Sequence, residues 1–412
     1  MKMESNLLLK NVLISDPGHP DATLSKDIRI RSGIITEIEQ YLSPEPDEYC
    51  ITAEDGEQLN ASSGWMDLFS IITDPGYEDK ESFSQWSAAA VSGGFTECLA
   101  FPETHPYADT GEAVLALLNR NTPHAPTLHI LGALTQKLEG RQIAEFRDMM
   151  RAGTGLFSQG LRPSVSGGCM RIALEYLKGS RSQIVVFPFE ESLSKQGQVH
   201  EGKSAIFTGL KGIPTLTESL IVYRDCALSE LCNVPVHFTG ISTQKSLKII
   251  EDAKQRGIQV TASVFSTHLK YTEDVYESFD AQYKIMPPFR SHEDREALRN
   301  AVCSGVLDGI ASGHVPTRPE EKNVEFTHAE FGMRNLSQSF RYAWESLVST
   351  QLMRPADLIH TFVKFPRTLC GLPEPELKTG VKANLTLWKT FKSKDSLPEI
   401  SGIIKDSWLS AH

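Results

Sequence analysis

Val234-Pro-Val-His-Phe-Thr-Gly240, Ile241-Ser-Thr-Gln-Lys-Ser-Leu-Lys-Ile-Ile-Glu-Asp-Ala-Lys-Gln-Arg-Gly257 and Ile258-Gln-Val-Thr-Ala-Ser-Val264 follow one another without a break. The outer two segments are short, β-branched runs that read as strands. The middle one opens on a Ser/Thr cap, repeats its apolar residues at helical spacing and closes on glycine, the pattern of a helix with both ends marked. A strand, a helix and a second strand in that order form a crossover unit, which places the two strands parallel in one sheet.

The same rhythm extends in both directions. Phe95–Phe101, Thr127–Leu134, Gln183–Phe189 and Leu307–Ser312 are further short β-rich runs. Ser82–Val91, Gly111–Leu118, Met170–Leu177, Thr215–Cys232 and His292–Cys303 carry helical patterns between them. Alternation over roughly three hundred residues implies a parallel sheet covered by helices, and closure into a (β/α)8 barrel is the common solution at that length. A doubly wound open sheet is the alternative. No Gly-x-Gly-x-x-Gly turn follows an early strand, which weakens a dinucleotide-binding version of it. Leu7–Ser15, Asp27–Arg31 and Ile34–Ile38, with the hairpin signal Ser32-Gly33, and later Ala383–Lys389, read as strands outside the barrel. The expected organisation is a small β-sandwich domain built from both termini, residues 1–62 plus 373–412, around a barrel at 63–372.

Composition bounds the function. The chain has 412 residues, 40% hydrophobic and 23% charged, with 41 Lys+Arg against 52 Asp+Glu and a net charge of −11. An acidic globular protein lacks the basic face that nucleic acid or an anionic membrane surface requires. No apolar run approaches the roughly 18 residues of a membrane span, and Met1-Lys-Met-Glu-Ser5 lacks the apolar stretch of a secretion signal, so a cytoplasmic location is expected. The 7 cysteines form no Cys-x-x-Cys pair and read as reduced, small apolar residues. The 12 histidines contain no His-x-His, His-x-x-His or His-Glu-x-x-His.

Several strings, in order, resemble the cyclic amidohydrolases, and most of all dihydroorotase. Gly64-Trp-Met-Asp67-Leu-Phe-Ser-Ile-Ile-Thr-Asp74-Pro-Gly76 is similar to the family's first barrel strand and loop, and Phe101-Pro-Glu-Thr104-His-Pro106 to its next turn. His200-Glu-Gly202, Gly209-Leu-Lys-Gly-Ile-Pro214, Val236-His-Phe-Thr-Gly-Ile-Ser-Thr243, Lys284-Ile-Met-Pro-Pro-Phe-Arg290, Ile310-Ala-Ser-Gly-His-Val-Pro316 and Gly380-Val-Lys-Ala-Asn-Leu-Thr-Leu387 continue the likeness over nearly the whole chain.

That resemblance implies zinc chemistry: the family hydrolyses a cyclic amide with metal-activated water at the C-terminal ends of the barrel strands. It also implies that this chain has lost the ligands. The family's His-x-His falls on Phe69 and Ile71, its later histidines on Pro188 and Gly240, and its last aspartate on Gly313. An earlier aspartate falls within Ser158-Gln159-Gly160. None of these side chains is a carboxylate or an imidazole. The substrate-recognition positions map to Thr73, Glu103, Met286 and Thr317, with Arg290 and His314 the remaining polar groups of a vestigial pocket.

Other residues carry ordinary structural readings beside the functional ones. His237 is expected to be a packed, hydrogen-bonded histidine facing away from the mouth, and His268 a structural one. Asp67, Asp74, Glu78 and Asp79 could pair for acid–base work, but Asp before Pro-Gly is a common turn former and the group reads as framework. Lys80, Lys211 and Lys284 read as loop lysines tied to carbonyls or acids.

The leading expectation is a metal-free, inactive dihydroorotase homologue without cofactor, a homo-oligomer such as a dimer. Its role by resemblance is to assemble with aspartate transcarbamoylase in pyrimidine synthesis. A divergent or metal-independent hydrolase, and a small-molecule sensor using Glu103, His314 and Arg290, are the alternatives.

Overall fold

The computed structural model describes residues 6–16, 19–391, 396–406 and 408–411; the Met1–Ser5 segment and His412 lie outside the described residues. Eight parallel strands make the barrel. They are Trp65–Ile71, Phe95–Phe101, residues 127–133, Leu156–Ser158, Gln183–Val186, Val236–Phe238, Val260–Phe265 and Gly309–Ala311. The third breaks at Leu131, so that Thr127–Ile130 pairs with the second strand and Gly132–Ala133 with the fourth. The fourth strand is only three residues long. It has no β-branched residue and lies between Gly155 and Gly160, so the sequence pattern did not predict it, unlike the equally short sixth and eighth strands.

The helices between these strands begin where a short polar side chain can satisfy free backbone N–H groups. Ser82 and Gln85 form a reciprocal capping box at Phe83–Ser92. Thr243 caps Gln244–Gln255 and Ser291 caps His292–Ser304. The cap residue itself is extended, so each helix starts one residue after its polar signal.

Closure of the barrel between the eighth and first strands uses a few specific bonds instead of a long ladder. The Ile71 N–H donates to the His314 carbonyl at 2.9 Å, and the buried Asp67 carboxylate accepts from Ser312 N and Oγ, both at 2.7 Å. Burial pushes Asp67 up to about 6 against the pull of those bonds. Asp74 likewise accepts from Phe83 N at 2.9 Å and pairs with Arg120 at 2.6 Å. Both carboxylates serve the framework.

The barrel strands are buried on both faces along most of their length, with Thr127 and His129 of the third partly exposed. Val236, Phe238, Ala262, Val264 and Ile310 lie under the helices in the larger core, whereas Leu99, Phe101, Val185, Phe187 and Phe265 belong to a second cluster inside the barrel. Leu369, near the end of the last helix Pro355–Cys370, joins this inner cluster, with Phe365 packed against it.

The two ends of the chain meet in one continuous eight-stranded sheet. Asn384–Phe391 runs antiparallel to Glu57–Ser63, with Leu385 opposite Ser63 and Phe391 opposite Glu57. Leu7, Leu9, Ile28, Ile30, Leu385 and Ile404 are among the residues of its own core. Trp65 links the sheet to the barrel, with its ring 5.2 Å from Trp388 and 4.3 Å from Phe340. No helix among the described residues is long and apolar enough to cross a membrane.

An ion-pair network strengthens this junction. Glu97 accepts from Arg367 at 2.5 Å, from Asn384 at 3.2 Å and from the His129 ring at 2.8 Å. Burial raises the Glu97 carboxyl, but the His129 hydrogen bond and the Arg367 charge outweigh it and hold the group at about 2, below its ordinary 4.5. A depressed carboxylate contributes stability that is complete above its unfolded value and lost as pH falls through the folded one. Glu97→Gln is therefore expected to lower the unfolding free energy near pH 7 by about 2 kcal/mol. Urea titrations at a series of pH values should also show a flatter profile between pH 4.5 and about 2 than the unmodified chain gives.

Candidate functional site

The C-terminal ends of the strands form a mouth, where a barrel of this type keeps its chemistry. Here the mouth is closed by aromatic rings. Phe265, the last residue of the seventh strand, lies 4.7 Å from the Phe69 ring and stacks on Phe187 at 6.5 Å. Phe69 in turn meets Phe101 at 4.2 Å. All four rings are buried.

Two glycines make room for Phe265. Gly240 and Gly313 have φ of +70° and +66°, a left-handed conformation that favours glycine. A Cβ at Gly240 would stand 2.9 Å from Phe265 Cζ, and one at Gly313 would stand 2.6 Å from Phe265 Cγ. The ring thus fills the space that side chains at both positions would need. Ile71 is buried at the end of the first strand, and Pro188 is buried just beyond the end of the fifth.

Gln159 turns aside from the mouth: it accepts from Thr135 Oγ1 and donates to the Leu138 carbonyl, both at 2.8 Å. Its neighbour Gly160 could not carry a side chain without striking the Glu103 carboxylate. Glu103 accepts from the Leu161 N–H at 2.8 Å and lies 3.5 Å from Arg162. Burial raises its carboxyl above the ordinary range.

These residues do not fit zinc. A structural or catalytic site needs three or four converging N, O or S donors. No group of three His, Cys, Asp or Glu among the described residues could hold a metal ion. Glu103 is a lone, engaged carboxyl, and Phe265 occupies the centre.

The expected pocket residues divide into two sets. Met286 lines a small cleft above the rings with Leu161, Val315, Phe331, Met333 and Gly313, the last an expected ligand position, and Glu103 binds the backbone of that cleft at Leu161. Thr73, Arg290, His314 and Thr317 do not join it. His314, expected at the pocket, is buried behind it: its Nε2 donates to Glu81 at 2.8 Å, while its Nδ1 accepts from Asn335 and Leu336 N–H groups, both at 3.2 Å. With both nitrogens engaged, the ring has nothing left for a ligand.

Arg290, also expected at the pocket, is fully committed elsewhere. Its guanidinium donates to Ser242 Oγ at 3.1 Å and to the Ile213 carbonyl at 2.9 Å, with His200 Nδ1 at 3.2 Å. Glu218, beside it, accepts from Ser242 and Thr243, so the cluster clamps the loop around Ile213 to the barrel. Thr73 donates its hydroxyl to the Glu81 carbonyl at 2.7 Å. Thr317 is buried against Gly332, and its carbonyl accepts from Arg334 at 3.2 Å.

His237 is packed and hydrogen-bonded, but it faces the barrel interior. Its ring bonds Thr261 Oγ1 at 2.9 Å and Ser263 Oγ at 3.0 Å and lies 5.6 Å from Phe365. The expected outward orientation assumed alternation as far as Gly240, whereas the sixth strand ends at Phe238 and Gly240 is left-handed. His268 bonds the Pro287 carbonyl at 3.0 Å, and Lys284 donates to the Phe326 and Thr327 carbonyls. Burial lowers His200, His237 and His268 to about 3, with the Arg290 charge also acting on His200. All three are neutral near pH 7 and too weakly basic to serve as general bases.

Phe265 is the residue of the mouth that sequence reasoning missed. The available signal was the pair of glycines, Gly240 and Gly313, at positions where the resemblance expects ligand side chains, which leaves space for a bulky neighbour.

The sequence matches the family model described as "Dihydro-orotase-like" over residues 62–246. It is 34% identical over 337 residues to a dihydroorotase of Pelotomaculum thermopropionicum, covering 80% of this chain and 79% of that one. It is 33% identical over 384 residues to a dihydroorotase of Geotalea daltonii, covering 93% and 89%. Among solved structures, the L-hydantoinase of Arthrobacter aurescens superposes with a TM-score of 0.81 at 20% identity over 98% of this chain and 96% of that one. The D-hydantoinase of a Thermus species gives 0.77 at 17% identity over 98% and 95%. The structural likeness establishes the barrel fold with its terminal β domain.

Coupling between Phe265 and the glycines is measurable. Gly313→Ala is expected to cost about 2–3 kcal/mol, from left-handed strain and overlap with the ring. In a Phe265→Ala background the same change should cost about 1 kcal/mol less. Urea unfolding of the four variants measures this difference, and strict additivity would contradict it.

Proposed function

This chain belongs to the dihydroorotase family, and from that premise we propose that it is a non-catalytic member, retained in pyrimidine synthesis for its surface and not for hydrolysis. The observation that carries the proposal is the Phe265 ring between Gly240 and Gly313, in the space where ligand side chains would converge. Water that is not activated by a metal keeps a pKa near 15.7 instead of about 7, leaving a hydrolysis that depends on it without its nucleophile. The described residues supply no replacement at the mouth: His314 is locked between Glu81 and two backbone N–H groups, and Glu103 is tied to Leu161. The sensor alternative loses two of its three polar groups in the same way, because Arg290 and His314 serve the framework.

What remains is a stable barrel with a large surface. The proposed role is assembly in the cytoplasm with aspartate transcarbamoylase, the enzyme whose product dihydroorotase consumes.

The purified protein is expected to contain far less than one zinc per chain and to leave dihydroorotate unchanged, with or without added zinc. Elemental analysis paired with a dihydroorotate hydrolysis assay measures both. Near-stoichiometric zinc accompanied by turnover would overturn the proposal. For the partner, co-purification from the native host should recover the transcarbamoylase with this chain; separate elution of the two at micromolar concentration would count against assembly.

A further inference from the structure

After the eighth barrel strand the chain makes an excursion whose two ends meet. The Val315 N–H donates to the Met333 carbonyl at 3.0 Å. Gly332, at a φ of +152°, lies so close to Val315 that a Cβ there would stand 2.7 Å from the Val315 carbonyl oxygen. Between these points the one regular element is the single turn Pro319–Lys322. Phe326 and Ala329 are buried on its inner side, and Val315, Phe331 and Met333 roof the cleft whose floor is Phe265 and Met286. The excursion covers the barrel mouth.

Two lysines fasten it, one from each side. Lys322, on the excursion, donates to the Ala281 and Lys284 carbonyls at 2.9 and 3.0 Å, while Lys284, on the barrel side, donates to the Phe326 and Thr327 carbonyls at 2.9 and 3.1 Å. The Lys284 carbonyl accepts a second bond, from the Gly332 N–H at 3.0 Å. Both lysines are buried, Lys284 at 2% and Lys322 at 7% exposed. Neither forms an ion pair among the described residues. The acids that face Lys322 are Asp280, Glu321 and Glu330, and Glu330 also faces Lys284. Asp280 and Glu330 are exposed, and Glu321 is engaged by Arg318 at 2.6 Å and Lys80 at 3.7 Å. The Lys284 ammonium also lies 5.0 Å from the Phe331 ring and 5.6 Å from the Phe326 ring.

Carbonyl dipoles satisfy the ammonium hydrogens without cancelling the charge. Two ammonium groups taken out of water near one another oppose the closed arrangement, because each is rehydrated when the excursion lifts. Burial pushes Lys322 down to about 8, with the Lys284 charge adding to the effect, and burial lowers Lys284 as well. A lysine depressed in the closed state binds its proton more tightly in the open one. The penalty on closing is therefore complete below about pH 8 and is relieved as pH rises toward the ordinary 10.5. A neutral amine still has two N–H groups, enough for both carbonyls.

We infer that residues 316–334 are a lid over the barrel mouth that opens as one unit ahead of the rest of the fold, with the charge on Lys322 favouring the open state. Lifting it uncovers the cleft floor at Phe265 and Met286. The inference is independent of whether the mouth is catalytic. The N–H groups of Asn323, Ala329, Glu330 and Gly332 are all hydrogen-bonded in the closed lid, so their protection reports its opening. Hydrogen–deuterium exchange of the full chain, corrected for the intrinsic rate at each pH, should find lid peptides at pH 7 protected at least about ten-fold less than the helix Gln244–Gln255. Lid protection relative to that helix should then rise about ten-fold between pH 7 and pH 9.5. In Lys322→Met, which has no charge to lose, and in Lys322→Arg, which keeps its charge throughout, the rise should be absent. Lid amides as protected as the helix at pH 7, protection of the unmodified lid that does not change with pH, or a rise that survives in Lys322→Met would each overturn the inference. The first two outcomes are read on the unmodified protein and do not depend on the folding of a variant.

Discussion

The contact of the Phe265 ring with the two left-handed glycines, Gly240 and Gly313, is the constraint on which the mouth of this barrel depends. A (β/α)8 barrel converges its strand ends on a small volume that must be filled, by an ion with its ligands or by packed side chains. Phe265, Phe69, Phe101 and Phe187 fill it with hydrocarbon. Burying each ring contributes roughly 1.5–3 kcal/mol, so the aromatic cluster can replace the cohesion that an ion and its ligands would provide. The glycines and the ring are mutually dependent: a side chain at 240 or 313 and the ring at 265 cannot occupy their present positions together.

The polar residues around the mouth have settled accordingly. His314 joins Glu81 to the backbone at Asn335 and Leu336, Arg290 holds the loop at Ile213, and Thr73 anchors Glu81 through its carbonyl. A buried polar group is costly unless it is hydrogen-bonded, and each of these has found protein partners instead of a ligand. The fold does not depend on an ion at the mouth, because framework bonds such as Asp67 to Ser312 and Glu97 to Arg367 lie outside the cluster of rings.

Much of this was legible in the sequence, and the parts that were not have physical reasons. Helices announced themselves through Ser82, Thr243 and Ser291, because a cap is a local interaction between neighbours. The strand Leu156–Ser158 lacks the β-branched residues that marked the equally short Val236–Phe238 and Gly309–Ala311, and glycines stand close on both sides of it. Family strings located Phe69, Ile71, Pro188, Gly240 and Gly313 as positions without ligand atoms, yet they could not reveal that Phe265 fills the gap, since that contact joins three strands distant in sequence. The direction of His237 was misjudged because alternation was extended past the end of its strand. Arg290 and His314 looked available because their partners, Ile213 and Glu81, lie far from them in the chain.

The central claim, that an aromatic ring occupies the place of a metal, is open to direct observation by diffraction at the zinc absorption edge from crystals grown with excess zinc. The expected map shows the Phe265 ring between Gly240 and Gly313 and no anomalous peak within the barrel mouth. An anomalous peak there, with Phe265 turned away and protein side chains converging on the ion, would contradict the account.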